Sequence, residues 1–190
     1  MSYRETRDKL AGYRRQIVQL RKQMREAQST AEPEEVKDYE FTTPEGTVRL
    51  SSLFGDQQYL FMIHNMGTSC PACTLWADGF NGIYDHLVNR GAFVVSSPDS
   101  PETQRAFAKD RGWRFRMVSH QGTSFAADMG YRSENGSWRP GISVFRREPG
   151  RILRVSDTGF DMGDDFCSLW HIFDLLPEGS GTWRPQFKYE

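Results

Sequence analysis

Little in this 190-residue sequence is extreme, and each shortage removes a class of protein. Cysteine is scarce. Three residues, an odd number, are too few for a disulfide-stapled scaffold, so a closely spaced pair points to catalysis or metal binding instead. No apolar run approaches the roughly 18 residues that a membrane-spanning helix needs. The densest, Tyr59-Leu60-Phe61-Met62-Ile63, stops at His64, so no membrane partner is expected. The charged, helix-patterned N-terminus has no apolar stretch ahead of a small-residue cleavage site, so it does not read as a secretory signal, and the cytoplasm is the expected address. A net charge of −1 supplies no global field for nucleic acid, and none is expected as a partner. Internal repeats and low-complexity tracts are missing too.

What remains is a chain with 37% hydrophobic residues, enough for one sizeable core and an appendage. Its charge is uneven: residues 1–30 carry eight Lys/Arg against three Asp/Glu. In that segment Leu10, Tyr13, Ile17, Leu20 and Met24 recur every three or four residues, which predicts one amphipathic helix. About two heptads is short for an autonomous coiled coil, so the stripe is expected to lie on the main domain or on a second copy, giving a homodimer. Ser29 to Glu35 lacks apolar periodicity and reads as a linker. The expected organisation is a helical arm over 1–30, a domain over 38–177 and a tail over 178–190, with Trp183 and Phe187 as anchors.

Tyr39 to Thr42 and Thr47 to Leu50 flank Pro44-Glu45-Gly46 as a hairpin. Tyr59 to Ile63 reads as a strand covered on both faces. From Cys70 the period changes: Trp76, Phe80, Ile83 or Tyr84, and Leu87 predict one helix to Asn89, stopped by Gly91. Strand Ala92 to Val95, a helix capped by Ser100 with Pro101 at its first position, and strand Phe115 to Val118 follow. Strands alternating with helices imply right-handed crossovers and a largely parallel sheet. Ile142 to Phe145 and Ile152 to Val155 about Glu148-Pro149-Gly150 then form an antiparallel hairpin, and Asp164-Asp165 cap a helix to Leu176. The fold class is mixed α/β.

Cys70-Pro71-Ala72-Cys73 sits where a buried strand has ended and a helix begins. The free N–H groups and positive dipole end of a helix stabilise a thiolate in its first turn, and Pro71 suits that start. The two-residue spacing brings the sulfurs within bonding reach. Cys70, at the exposed edge, would attack a disulfide sulfur, and Cys73 would release the product by closing Cys70–Cys73; the reverse direction oxidises dithiols. The expected partners are a disulfide- or dithiol-containing protein or small thiol, and an electron donor of unspecified identity. No cofactor and no metal are expected.

The order of strand, C-P-x-C helix, strand, helix, strand, proline, hairpin and last helix resembles the thioredoxin superfamily. The resemblance implies a thioredoxin-like fold, and a cis-proline facing the cysteines, whose place Pro140 takes. The sequence more specifically resembles the bacterial thioredoxin-like family known as domain of unknown function eight-nine-nine, whose members are named as predicted dithiol-disulfide oxidoreductases. The segments that carry this are Asp38 to Phe41, Val48 to Phe54, Cys70 to Cys73 with Trp76 to Gly82, Gly112-Trp113 and Pro140 to Phe145, over about residues 10 to 180. Six residues before the first cysteine, where thioredoxins keep a buried acid that helps the second thiol lose its proton, stands His64, whose neutral imidazole suits that task. Trp76 and Asp78 are further candidates for active-site support.

Three other readings stay open. Peroxide reduction is one, with Arg139 to stabilise a peroxide oxygen. Peroxiredoxins, however, place Thr or Ser three residues before the attacking Cys and Pro five before, where this chain has Gly67 and Asn65. A metal site would combine Cys70 and Cys73 with Cys167 and His171, yet Phe166, Cys167, Trp170 and Phe173 resemble a buried helix face. The third is a non-catalytic binding or dimerisation module, which fold alone does not exclude.

Overall fold

The computed structural model describes residues 2–190, and the chain divides into two units, 1–33 and 34–190. The first is dominated by α1 (Tyr3–Thr30). Ser2 starts it with a reciprocal cap: its hydroxyl accepts the Glu5 N–H at 3.3 Å, and the Glu5 carboxylate accepts the Ser2 N–H at 2.7 Å. Lys22 and Glu26, one turn apart, add an ion pair at 3.7 Å. The helix ends at Ala31, two residues before a proline that cannot continue it. Leu10, Tyr13, Ile17, Leu20 and Met24 are all exposed along it.

The second unit is built on one eight-stranded sheet. In chain order its strands are β1 (Glu34–Val36), β2 (Glu40–Thr43), β3 (Gly46–Arg49), β4 (Tyr59–His64), β5 (Ala92–Ser97), β6 (Arg116–Ser119), β7 (Gly141–Glu148) and β8 (Arg151–Gly159). Across the sheet the order is β1-β8-β7-β4-β5-β6-β2-β3. β4, β5 and β6 run parallel, because each is joined to the next through a helical crossover; the hairpins at both margins are antiparallel. The helices are α2 (Pro71–Gly82), α3 (Tyr84–Arg90), α4 (Pro101–Arg111), α5 (Phe125–Asp128) and α6 (Ser168–Phe173).

Because a strand turns successive side chains to opposite faces, the sheet has two cores. Phe61 and Ile63 of β4 face Trp76, Ala77 and Phe80 of α2 and Trp170 of α6, on the helix-covered face. Leu60 and Met62 face the other way, into Phe41, Phe54, Phe125, Tyr131 and Phe145. This second core is closed by the 3-10 turn Leu50–Phe54 and the 120–131 segment rather than by long helices.

Three expectations about elements change, and one element was not expected. The helix predicted from Cys70 to Asn89 is two helices, broken at Ile83 (φ −112°, ψ 14°) just after Gly82; the break redirects Tyr84, Leu87 and Val88 onto the helix-side core. The expected linker, Ser29 to Glu35, begins inside α1 and ends inside β1, whose Glu34, Glu35 and Val36 pair with Arg154, Leu153 and Ile152 of β8. α6 starts at Ser168 instead of at Asp164-Asp165, since the Asp164 carboxylate is already occupied by the N–H groups of Asp161 and Phe166 and the Trp76 indole. α5 escaped notice because four residues hold too little periodicity. The tail anchors hold: Trp183 packs on Trp170 and Phe173, and Phe187 on Phe107.

Candidate active site

β4 ends at His64, the loop 65–69 turns the chain, and Cys70 becomes the residue that caps α2. Its backbone is extended (φ −102°, ψ 105°), so its carbonyl already accepts the Thr74 N–H at 3.1 Å, while its Sγ accepts the Cys73 N–H, also at 3.1 Å. Pro71 follows at the first helical position, where no N–H is required. Cys70 is half-buried, whereas Cys73, on the inner side of the first turn, is 3% exposed. All three cysteines are free thiols, so the pair is a dithiol.

The two sulfurs are electrostatically unequal. The Cys73 thiol, hydrogen-bonded to Cys70, pulls the Cys70 thiol down to about 7; burial opposes this, and the N–H groups of Cys73 and Ala72 assist it. Cys73 moves the other way, pushed up because it is the donor to Cys70 and because it is buried. At neutral pH the arrangement therefore offers one half-buried sulfur that ionises readily beside an inner thiol that keeps its proton.

His64 does not take the expected place beside Cys73. With Leu60 and Met62 it lies on the sheet face opposite α2: its ring stacks on Tyr131 (centroids 3.7 Å apart), and its Nε2 shares a hydrogen bond of 2.9 Å with Ser143 Oγ. The period-two alternation of β4 turned it away. Burial and neighbouring His120 hold it well below the ordinary imidazole range.

Trp76 is buried in the helix-side core, its indole N–H reaching Asp164 at 3.3 Å. Asp78, two residues on, accepts the Trp113 indole N–H at 2.8 Å and pairs with Arg111, joining α2 to α4. Pro140 lies at the correct end of the sheet, since Gly141 after it pairs with His64, but every peptide bond among the described residues is trans. The cis form implied by the superfamily is absent. With the trans bond the flanking groups are satisfied: Arg139 N–H donates to the Tyr131 carbonyl and Pro140 C=O accepts the Phe160 N–H, both at 2.9 Å. Arg139 itself is exposed. Cys167 is buried against the helix-side core, while His171 is exposed beside the Asp165 carboxylate at 3.3 Å. Among the described residues no three His, Cys, Asp or Glu side chains cluster to hold a metal, and no helix is long and apolar enough to cross a membrane.

The sequence profile of the family described as "Bacterial protein of unknown function (DUF899)" matches residues 2–188. The chain belongs to this family. As a DUF899 protein it has the thioredoxin-like fold seen in solved peroxiredoxins. Peroxidoxin BcpB from Mycobacterium tuberculosis is 24% identical, with a TM-score of 0.53 over 64% of this chain and 80% of that one. Peroxiredoxin Q from Xanthomonas campestris gives 20%, 0.52, 64% and 80%; reduced Prx3 from Vibrio vulnificus gives 12%, 0.54, 69% and 87%. At these identities the likeness is one of fold. No curated protein matches the chain.

Two residues of the DUF899 chain near this end of the sheet went unremarked in the sequence. His120, at the end of β6, is 3% exposed with neither ring nitrogen paired, against Trp138 and Phe125. Asp99, between β5 and α4, bonds the loop before Cys70. For Asp99 the available signal was the turn-rich run Ser96-Ser97-Pro98-Asp99-Ser100-Pro101, which marks a structured loop without naming its partner.

Proposed function

We propose that the chain is a thiol-disulfide oxidoreductase of the dithiol type, working in the cytoplasm through Cys70 and Cys73. The observation that carries the reading is the inequality of the two sulfurs: one half-buried and lowered to about 7 at the start of a helix, the other buried and raised. In the reducing direction the Cys70 thiolate attacks one sulfur of a substrate disulfide. A Cys70–substrate disulfide forms, and the substrate's other sulfur leaves as a thiolate. Cys73 then gives up its proton and attacks Cys70 Sγ, closing Cys70–Cys73 and expelling the second substrate thiolate. The substrate gains two electrons, the protein dithiol loses them, and a cellular thiol reductant restores it. The partners are thus a disulfide-containing protein or small molecule and a dithiol donor.

Trapping tests this. Cys73→Ser should accumulate a mixed disulfide on Cys70 that a reductant releases, and Cys70→Ser should abolish turnover of small disulfides. Full turnover by Cys70→Ser would refute the mechanism. The peroxidase reading shares the fold, but Gly67 offers no hydroxyl three residues before Cys70. Peroxide consumption matching disulfide turnover would favour it. We further assign self-association to the exposed stripe of α1, which Ile17→Asp with Leu20→Asp should abolish in sedimentation.

A further inference from the structure

The loop that delivers Cys70 to α2 is gripped by a carboxylate from the neighbouring crossover. Asp99 Oδ2 accepts the Thr68 backbone N–H at 3.0 Å and the Ser97 hydroxyl at 3.0 Å, and Oδ1 accepts the Thr68 hydroxyl at 3.3 Å. Ser97 Oγ in turn accepts from Gln104 Nε2 at 2.8 Å, and the same amide donates to the Val118 carbonyl at 3.0 Å. Ser97 and Gln104 are buried, so a hydrogen-bonded chain runs from β6 through α4 and β5 to residue 68. The grip also selects the residue before it. Gly67 has φ +108°, and a Cβ there would stand 3.1 Å from both Asp99 carboxylate oxygens. The Gly67 carbonyl accepts the Cys70 N–H at 3.2 Å, which links the held loop directly to the cysteine.

Asp99 is not needed where an acid in this place is ordinarily used. α4 is capped by Ser100, whose Oγ accepts the Thr103 N–H at 3.3 Å, with Pro101 at its first turn. Both Thr68 bonds instead span 31 residues of chain and serve only the loop before Cys70.

Building on the dithiol reading, we propose that Asp99 is a positioning residue for Cys70, its carboxylate fixing the Gly67–Ser69 backbone and so the placement of the sulfur at the first turn of α2. Its effect is geometric. A negative charge near a thiolate opposes ionisation, so removing the charge at fixed geometry leaves the Cys70 titration where it is or lowers it. Loss of the geometry raises it, because Sγ then loses the N–H groups of the first turn. The two substitutions therefore part company. Asparagine keeps an acceptor for Thr68 N–H and Ser97, and turns its amide to the Thr68 hydroxyl oxygen; alanine keeps nothing.

The test is the pH dependence of Cys70 alkylation by iodoacetamide in the full chain, followed on the Cys70 peptide by mass spectrometry. Asp99→Ala should move the half-point up by about one unit toward the free thiol and slow alkylation at pH 7 about fivefold. Asp99→Asn should keep the parent profile or fall slightly below it. Should Asp99→Ala not fold, Ser97→Ala removes the support of the same oxygen and should slow the reaction about twofold. Parent profiles in Asp99→Ala or, failing that, in Ser97→Ala would overturn the proposal, as would an upward shift in Asp99→Asn equal to that of alanine. A parent Cys70 that titrates like a free thiol would instead overturn the dithiol reading itself.

Discussion

The His64 imidazole lies flat on the Tyr131 ring, centroids 3.7 Å apart and planes 11° from parallel, on the sheet face opposite the one that α2 covers. That placement makes His64 a packing group. His64→Ala should lower stability by about 3 kcal/mol, the range for emptying a large buried site, and leave Cys70 alkylation at pH 7 unchanged. Urea unfolding and thiol alkylation read the two effects separately. Slowed alkylation without lost stability would return His64 to the chemistry.

His120 makes the fold acid-sensitive. Burial first, then the charge of Arg132, lowers its imidazole from 6.5 to about 4, with both ring nitrogens unpaired. The folded state therefore takes up this proton later than the unfolded state does as pH falls. The associated stability is full above about pH 6.5 and is lost between there and pH 4, up to about 3 kcal/mol. His64, lowered as well, adds in the same direction. Replacing His120 with Phe should flatten the fall in urea midpoint between pH 7 and pH 4.5; an unchanged slope would remove His120 as its source.

The cysteine pair was legible because its signal is local: a proline, an interval of two and a change of apolar period all fall within one turn. The face on which His64 lies was not. A strand's alternation separates two faces, but only the path of the crossover decides which face α2 covers, and the run Tyr59 to His64 is apolar on both. β1 was hidden for the opposite reason. As a three-residue margin strand it shows two glutamates to solvent, and its strand character lies in pairing with β8, about 120 residues away. Asp99 belongs to the same class, since its partner Thr68 is a whole crossover distant.

Asp78 supports a different part of the molecule from the one expected of it. It holds Arg111, whose other nitrogen donates to the Phe187 carbonyl at 2.7 Å, so α2, α4 and the C-terminal tail share one polar junction. Asp78→Ala leaves the Trp113 indole and a partly buried guanidinium without their acceptor, at a cost of about 2 kcal/mol. Limited trypsin digestion should then cleave at Lys188 sooner, while mixed-disulfide trapping on Cys70 continues. Loss of trapping in a folded Asp78→Ala protein would show that Asp78 acts on the cysteines after all.

Gly141 is required by the approach of one ring and one backbone carbonyl. The Tyr131 hydroxyl donates to the Ile142 carbonyl at 2.9 Å and reaches Thr158 O at 3.2 Å, which lays the ring across the start of β7. A Cβ on Gly141 would overlap Tyr131 Cε1 and crowd the Thr158 carbonyl, so neither a rotamer change nor a small shift of one side chain relieves it. Gly141→Ala should therefore displace Tyr131 together with the His64 ring stacked on it, and cost about 2 to 3 kcal/mol in urea unfolding. Removing the ring should release the side-chain part of this conflict. In a Tyr131→Ala background the added cost of Gly141→Ala should fall to half or less, with the remainder due to the Thr158 carbonyl. An equal cost in both backgrounds would mean that the backbone of β8, and not the tyrosine, sets the need for glycine.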